Sequence, residues 1–222
     1  DDIVGVSFWL ISMAMMAATV FFLWETQNVS GKWKTSLVVI ALVTFIAAVH
    51  YFYMRGVWIE TNDSPLVFRY VDWLLTVPLQ IVEFYLILAA IAVVRAALFW
   101  KLMIASLVML IFGYLGELGA MNYWLAFIIG MAGWIYIIYE IFAGEASQIN
   151  ASQGTEASKT AFNALRIIVT FGWAIYPIGY VAEPVFGVEA LNIVYNLADF
   201  VNKIAFGVVI WAAATSSSTA KA

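Results

Sequence analysis

"RYVDWLLTVPLQIVEF", residues 69–84, lies inside an apolar run of membrane-spanning length, yet it carries Arg69, Asp72, Gln80 and Glu83. A charged side chain near a bilayer centre costs roughly 3 kcal/mol on the translocon scale and more by other estimates. Such groups face a protein interior or water, and there they mark an ion path, a proton relay or the counter-charge of a ligand. The sequence around this helix has to say which.

The surroundings are a membrane. Of 222 residues, 65% are hydrophobic and only 11% charged, too few to build the polar shell of a soluble domain. The apolar residues fall in long blocks, which predicts an all-α bundle of membrane helices; the alternation of an outer-membrane barrel is absent. With no cysteine and one histidine, disulfides and thiolate sites are excluded and no metal site is expected. The net charge of −4 gives no footprint for nucleic acid. The opening "DDIVGVSFW" lacks the basic region of a signal peptide, so the chain either follows a cleavage or inserts by its first helix.

Seven segments reach the ~20 residues that cross ~30 Å of hydrocarbon. They are Val6–Trp24, Lys34–Arg55, Pro65–Ala90, Leu98–Gly116, Trp124–Ala143, Ala161–Val181 and Ala190–Ala214. The fifth connection, "GEASQINASQGTEASKT", reads as a mobile loop, "AEPVFGVE" reads as the sixth connection, and residues 1–222 read as one domain. Lys32, Lys34, Arg95, Lys101, Lys159, Arg166 and Lys221 fall on one side of this arrangement. Asp1, Asp2, Glu60, Asp63, Glu183 and Glu189, with Arg55, fall on the other. The positive-inside rule then puts the N-terminus outside and the C-terminus in the cytoplasm.

The last span contains "YNLADFVNKIAFG", with Asp199 and Lys203 four residues apart on one helix face. A mid-span lysine cannot easily snorkel to water. The plain alternative is a structural salt bridge. The chemical one is a desolvated amine that forms a Schiff base with a carbonyl compound. In the third span, Asp72 and Glu83 are eleven residues apart. At ~100° per residue they share a face within about 20° and are separated by roughly 16 Å along the axis. If the two faces meet, Lys203 lies between the carboxylates, as a basic station in a proton path. Taken singly, Glu83 reads as a snorkelling acid and Asp72 as a partner of Arg69. Trp73, Trp134, Trp173 and Tyr176 supply flat walls at matching depths, although most of the ten tryptophans read as packing or interface anchors. Pro78 and Pro177 each remove a mid-span donor, giving either a packing kink or a hinge with a freed carbonyl.

Together "RYVDWLLTVPLQIVEFYLI" and "YNLADFVNKIAFG" resemble the third and seventh helices of microbial rhodopsins, in particular the blue-absorbing proteorhodopsins; "VHYFYMRGVWIETNDSP", "MLIFGYLGE" and "FGWAIYPIGY" extend the likeness over nearly the whole chain. The resemblance implies retinal, all-trans in the dark, bound covalently to Lys203 as a protonated Schiff base. It implies Asp72 as counterion and proton acceptor, Asp199 as second counterion, Arg69 tuning both, and Glu83 as cytoplasmic proton donor. The triplet Asp72, Thr76 and Glu83 matches the family's proton-pump pattern, with Thr76 expected to bond near Asp72. The implied pocket is Trp73, Gln80, Met109, Gly113, Trp134, Trp173, Tyr176, Pro177 and Tyr195.

His50 is implied to hydrogen-bond Asp72 and to approach Trp9 of a neighbouring copy in a ring of five or six chains, in a bacterial inner membrane. Gln80 matches the family's colour switch, where glutamine goes with blue and leucine with green. A polar group near the attachment end stabilises the ground state and widens the gap. Gln80→Leu is therefore expected to move absorption to longer wavelength; an unchanged spectrum refutes the assignment. Three rivals to a light-driven outward proton pump stand beside it: a retinal photosensor with a slow cycle, a transporter or receptor without retinal, and an enzyme. The last is disfavoured because no nucleophile–base or metal constellation appears.

Overall fold

The computed structural model describes residues 2–219, without the side chains of residues 182–184, 186 and 219; Asp1, Lys221 and the Glu183 carboxyl, used above for orientation, lie outside the described residues. Helices run α1 Ile3–Glu25, α2 Lys32–Thr61, α3 Leu66–Ala89, α4 Ala96–Glu117, α5 Tyr123–Phe142, α6 Glu145–Gln153, α7 Glu156–Ile167 and α8 Ile175–Thr219. A π turn, Ile168–Gly172, follows α7, and α8 breaks at Gly187, whose φ of 75° suits a residue without a Cβ. Among the described residues seven stretches are long and apolar enough to cross a membrane, the sixth being Glu156–Val181 and the seventh Gly187–Ser218. Helices satisfy every backbone group internally, as a bilayer demands.

Consecutive helices α1 to α5 pack side by side, and α8 returns against α1 and α2 to close the bundle. One end is tied by Lys32 Nζ donating to the Ala89 carbonyl and by Arg95 Nε and Lys101 Nζ donating to Glu145 at 3.0 and 3.2 Å. These join the basic connections to one another. The other end is tied by Trp58 Nε1 to Asp2, by Ser64 to Asn192, and by Tyr123 to the Tyr180 carbonyl. Asp2 caps α1 by accepting from the Gly5 N–H at 2.8 Å, and that bond holds its carboxyl below the usual range.

α3 is the most enclosed span: 67% of its most apolar stretch is buried, against 28–50% in the others. Its charges therefore face protein, while Val67, Val71 and Leu75 face outward.

Two connections differ from the sequence reading. The fifth carries α6 and the first turns of α7. Glu140, buried on α5, accepts from the Ala146 N–H at 3.2 Å at the start of α6, and Arg95 and Lys101 hold Glu145. Polar composition suggested a loop, but tertiary anchors stabilise a short helix. The sixth connection is helical backbone up to the break at Gly187.

Candidate functional site

Lys203 projects from the seventh span into the bundle and is 2% exposed. Its Nζ lies 2.5 Å from Asp72 Oδ2 on α3 and 3.0 Å from Asp199 Oδ2 one turn earlier on its own helix. One ammonium thus joins two carboxylates in a water-poor interior, where an unpaired ion is costly. Asp199 is further held by Tyr51 at 2.7 Å, Tyr176 at 2.5 Å and Trp73 Nε1 at 3.3 Å, all donating to it. Asp72 has fewer partners, and its Oδ1 accepts no hydrogen bond.

An apolar cavity extends from Lys203 between α3, α4, α5 and the last two spans. All ten pocket residues expected from the sequence line it: Lys203, Trp73, Gln80, Met109, Gly113, Trp134, Trp173, Tyr176, Pro177 and Tyr195. Its far end reaches Glu117, Phe127 and Tyr180. Gln80 is 1% exposed and its Nε2 lacks a partner. Gly113 leaves room for Tyr70, whose hydroxyl would stand 3.1 Å from a Cβ built there.

Glu83 is fully buried on α3, with neither oxygen hydrogen-bonded. The Ser36 hydroxyl of α2 lies beside it outside hydrogen-bond geometry. Phe84, Phe162 and Phe206 pack edge to face at the same depth of the chain, and all three are fully buried. A snorkelling surface acid is not what the structure contains.

Three details depart from the sequence reading, those of His50, Arg69 and Pro177. His50 Nδ1 donates to the Ile46 carbonyl at 3.0 Å, one turn back on α2, and stands 3.6 Å from Asp72 Oδ1, beyond a hydrogen bond. The local backbone acceptor takes its proton. Arg69 contacts neither carboxylate; it donates to Asn192 and Asn196 at 2.8 and 3.0 Å and to the Tyr51 hydroxyl at 3.4 Å. Asp72 is thus not its salt-bridge partner. Thr76, expected near Asp72, donates to the Asp72 backbone carbonyl at 2.9 Å, the i−4 bond open to a helical threonine. Pro177 is not where the sixth span breaks: the π turn upstream is, with the Trp173 N–H on the Ile168 carbonyl, and Tyr176 N–H takes the Trp173 carbonyl at 3.2 Å. The turn leaves the Val169 and Gly172 carbonyls to accept from Trp134 Nε1 and Asn202 Nδ2, both at 3.0 Å. Pro78 lies inside an unbroken α3.

Tyr51, Asn192, Asn196 and Asn202 were missed. A signal existed for two of them. Asn192, Asn196, Asp199 and Lys203 recur at three- and four-residue spacing, a polar stripe along one helix face.

A seven-helix membrane bundle with a buried lysine between carboxylates at the end of an aromatic cavity defines the class. The chain belongs to the bacteriorhodopsin-like family, whose model, described as bacteriorhodopsin-like protein, matches residues 2–217, and it is a multi-pass cell-membrane protein. It is 57% identical over 223 residues to the green-light absorbing proteorhodopsin of Gamma-proteobacterium EBAC31A08, covering 99% of this chain and 89% of that one. It is also 57% identical over 224 residues to the blue-light absorbing proteorhodopsin of Gamma-proteobacterium Hot 75m4, with the same coverage. The crystal structure of blue light-absorbing proteorhodopsin from Med12 superposes with a TM-score of 0.83 at 57% identity, covering 97% of this chain and 100% of that one.

Proposed function

We propose that residues 1–222 act as one unit, a light-driven outward proton pump that carries retinal, all-trans in the dark, covalently on Lys203. The observation that supports it most is the Lys203 nitrogen itself: buried, 2.5 Å from Asp72, and opening on an apolar cavity walled by aromatic rings. A long, flat, apolar molecule with one polar attachment point fits this lining, and the unpartnered Gln80 amide suits its polar end. When bound, retinal supplies light absorption and a light-driven change of shape at the attachment point.

The protein's own groups do the rest. Lys203 Nζ holds the proton to be moved, between Asp72 and Asp199. Asp72 accepts it, since one of its oxygens is free of hydrogen bonds and protonation there needs no partner displaced. Asp199, with three donors on it besides Lys203, stays ionised as the fixed counter-charge. Glu83 returns a proton from the side of the basic connections. Donor and acceptor on opposite sides of one nitrogen give transport a direction, outward when those connections are cytoplasmic.

The test is to express the chain with all-trans-retinal and follow external pH under illumination. Acidification that a protonophore abolishes is expected; a coloured protein that never acidifies the medium overturns the pump. Glu83→Gln is expected to slow reprotonation of the site by roughly 10²-fold, within the range for a positioned general acid. Added azide is expected to restore the rate. A millisecond cycle separates the pump from a slow photosensor, and the buried Glu83 favours the former.

The function belongs to ion transport, not enzymology. Trp9 is 43% exposed and packs on Phe52, and the His50 side chain is 19% exposed. This supports a ring of five or six copies in a bacterial inner membrane, with Trp9 of one near His50 of the next. Native mass spectrometry in mild detergent checks it, and a monomer counts against it.

A further inference from the structure

Arg69 is 1% exposed, and the ion pairs of Asp72 and Asp199 run to Lys203 and His50, not to it. The polar partners of its guanidinium are neutral: Asn192 Oδ1 at 2.8 Å, Asn196 Oδ1 at 3.0 Å and the Tyr51 hydroxyl at 3.4 Å. The rings of Phe8 and Tyr195 stand 5.6 and 5.4 Å from its central carbon.

Both amides are fixed. Asn192 Nδ2 donates to the Val188 carbonyl at 2.9 Å, and Asn196 Nδ2 donates to Ser7 Oγ at 2.8 Å, which itself donates to the Val4 carbonyl at 2.7 Å. With each NH2 group committed, each amide oxygen has to face Arg69. Tyr51 donates its one proton to Asp199 and accepts from Arg69, so it stands between the charge and the carboxylate.

We propose that Asn192 and Asn196 are positioning residues that park the Arg69 guanidinium one layer outward of the Asp72–Lys203–Asp199 group. Its charge then acts on that group through Tyr51 and not as a direct ion pair. An amide accepts a guanidinium's hydrogen bonds without neutralising it; a carboxylate here would cancel the charge, and an apolar side chain would release it. A released guanidinium in a sealed layer leaves N–H groups unsatisfied, and the nearest anionic acceptor lies behind Tyr51. Moved inward, it would add a second cation beside carboxylates that already share Lys203, and so oppose the arrival of a proton on Asp72. The amides thereby keep Asp72 able to accept. The other groups facing Asp72 are Lys203 and Asp199 from α8 and His50 and Tyr51 from α2, and none of them is altered by this exchange.

The inference rests on the retinal-bearing reading above for its measurement. The midpoint of the pH-driven colour change is titrated in purified pigment with Asn192→Val and with Asn196→Val, each in the unaltered and the Arg69→Gln background. With Arg69 present, each is expected to move the midpoint to lower pH by about one unit, a tenfold weaker hold on the proton. With Arg69→Gln the same substitutions are expected to move it by less than about a third of that, since residues joined in one hydrogen-bond network act through each other and do not add. Asn196→Val also cuts the link to Ser7 and Asn192→Val the link from Ser64, so a shift common to both variants and dependent on Arg69 separates positioning from either loss of packing. Equal shifts in both backgrounds, or no shift with Arg69 present, overturn the proposal. The colour of the unaltered pigment tests the function; the difference between backgrounds tests the positioning role.

Discussion

A Lys203→Ala chain supplied with all-trans-retinal is expected to form no stable coloured pigment. Among the described residues Lys203 is the one buried lysine, and the cavity opens at its nitrogen. Among the described residues no other lysine lines the pocket, and Lys32 and Lys101 are engaged at the basic end of the bundle. The substitution also removes the cation shared by Asp72 and Asp199. Breaking a buried pair by deleting one partner costs about 3–5 kcal/mol, less whatever is regained when a carboxyl takes up a proton. Helical content by circular dichroism is therefore measured beside the absorption spectrum, to separate a folded colourless protein from an unfolded one. A folded Lys203→Ala protein as coloured as the unaltered chain, with no free amine added and resistant to hydroxylamine, would remove the basis of the proposed function.

Asp72→Asn is expected to abolish light-driven acidification while leaving a coloured protein, with absorption displaced to longer wavelength. The amide keeps the size and an acceptor oxygen, so the contact with Lys203 survives as a hydrogen bond to a neutral acceptor. The negative charge and the proton-accepting oxygen are lost together. Asp199 does not replace it: Tyr51, Tyr176 and Trp73 saturate its oxygens, and a proton arriving there would have to displace a donor. The measurement is the external pH trace, with and without protonophore, from cells carrying equal amounts of pigment. Undiminished acidification by Asp72→Asn would move the acceptor role to Asp199 and overturn the reading of α3.

The membrane class, the helix count and the inward face of α3 were legible because hydrocarbon length and the cost of a buried charge act on one segment at a time. Asp72 and Glu83 share a face through helix geometry alone, and Lys203 had to be paired because an unpaired ammonium at mid-span is untenable. The resemblance over nearly the whole chain then implied the ten residues that line one cavity. What escaped was polar detail between helices. The sequence reading gave Arg69 to the carboxylates on charge, yet two amides and a tyrosine hydroxyl hold it. His50 was matched to Asp72, yet its own helix's carbonyl is nearer. The Ser- and Gly-rich fifth connection reads as loop by composition, yet Glu140 and the pair Arg95–Glu145 fold part of it.

From its sequence alone this chain was bound to cross the bilayer seven times and to bury an amine among acids, because apolar run length and intrahelical spacing are local quantities. Only the packed bundle decided which acid touches the amine most closely, where the arginine's charge is parked and which oxygen is left free to take a proton. Those depend on distances of a few tenths of an ångström between groups more than a hundred residues apart, and no local pattern encodes them.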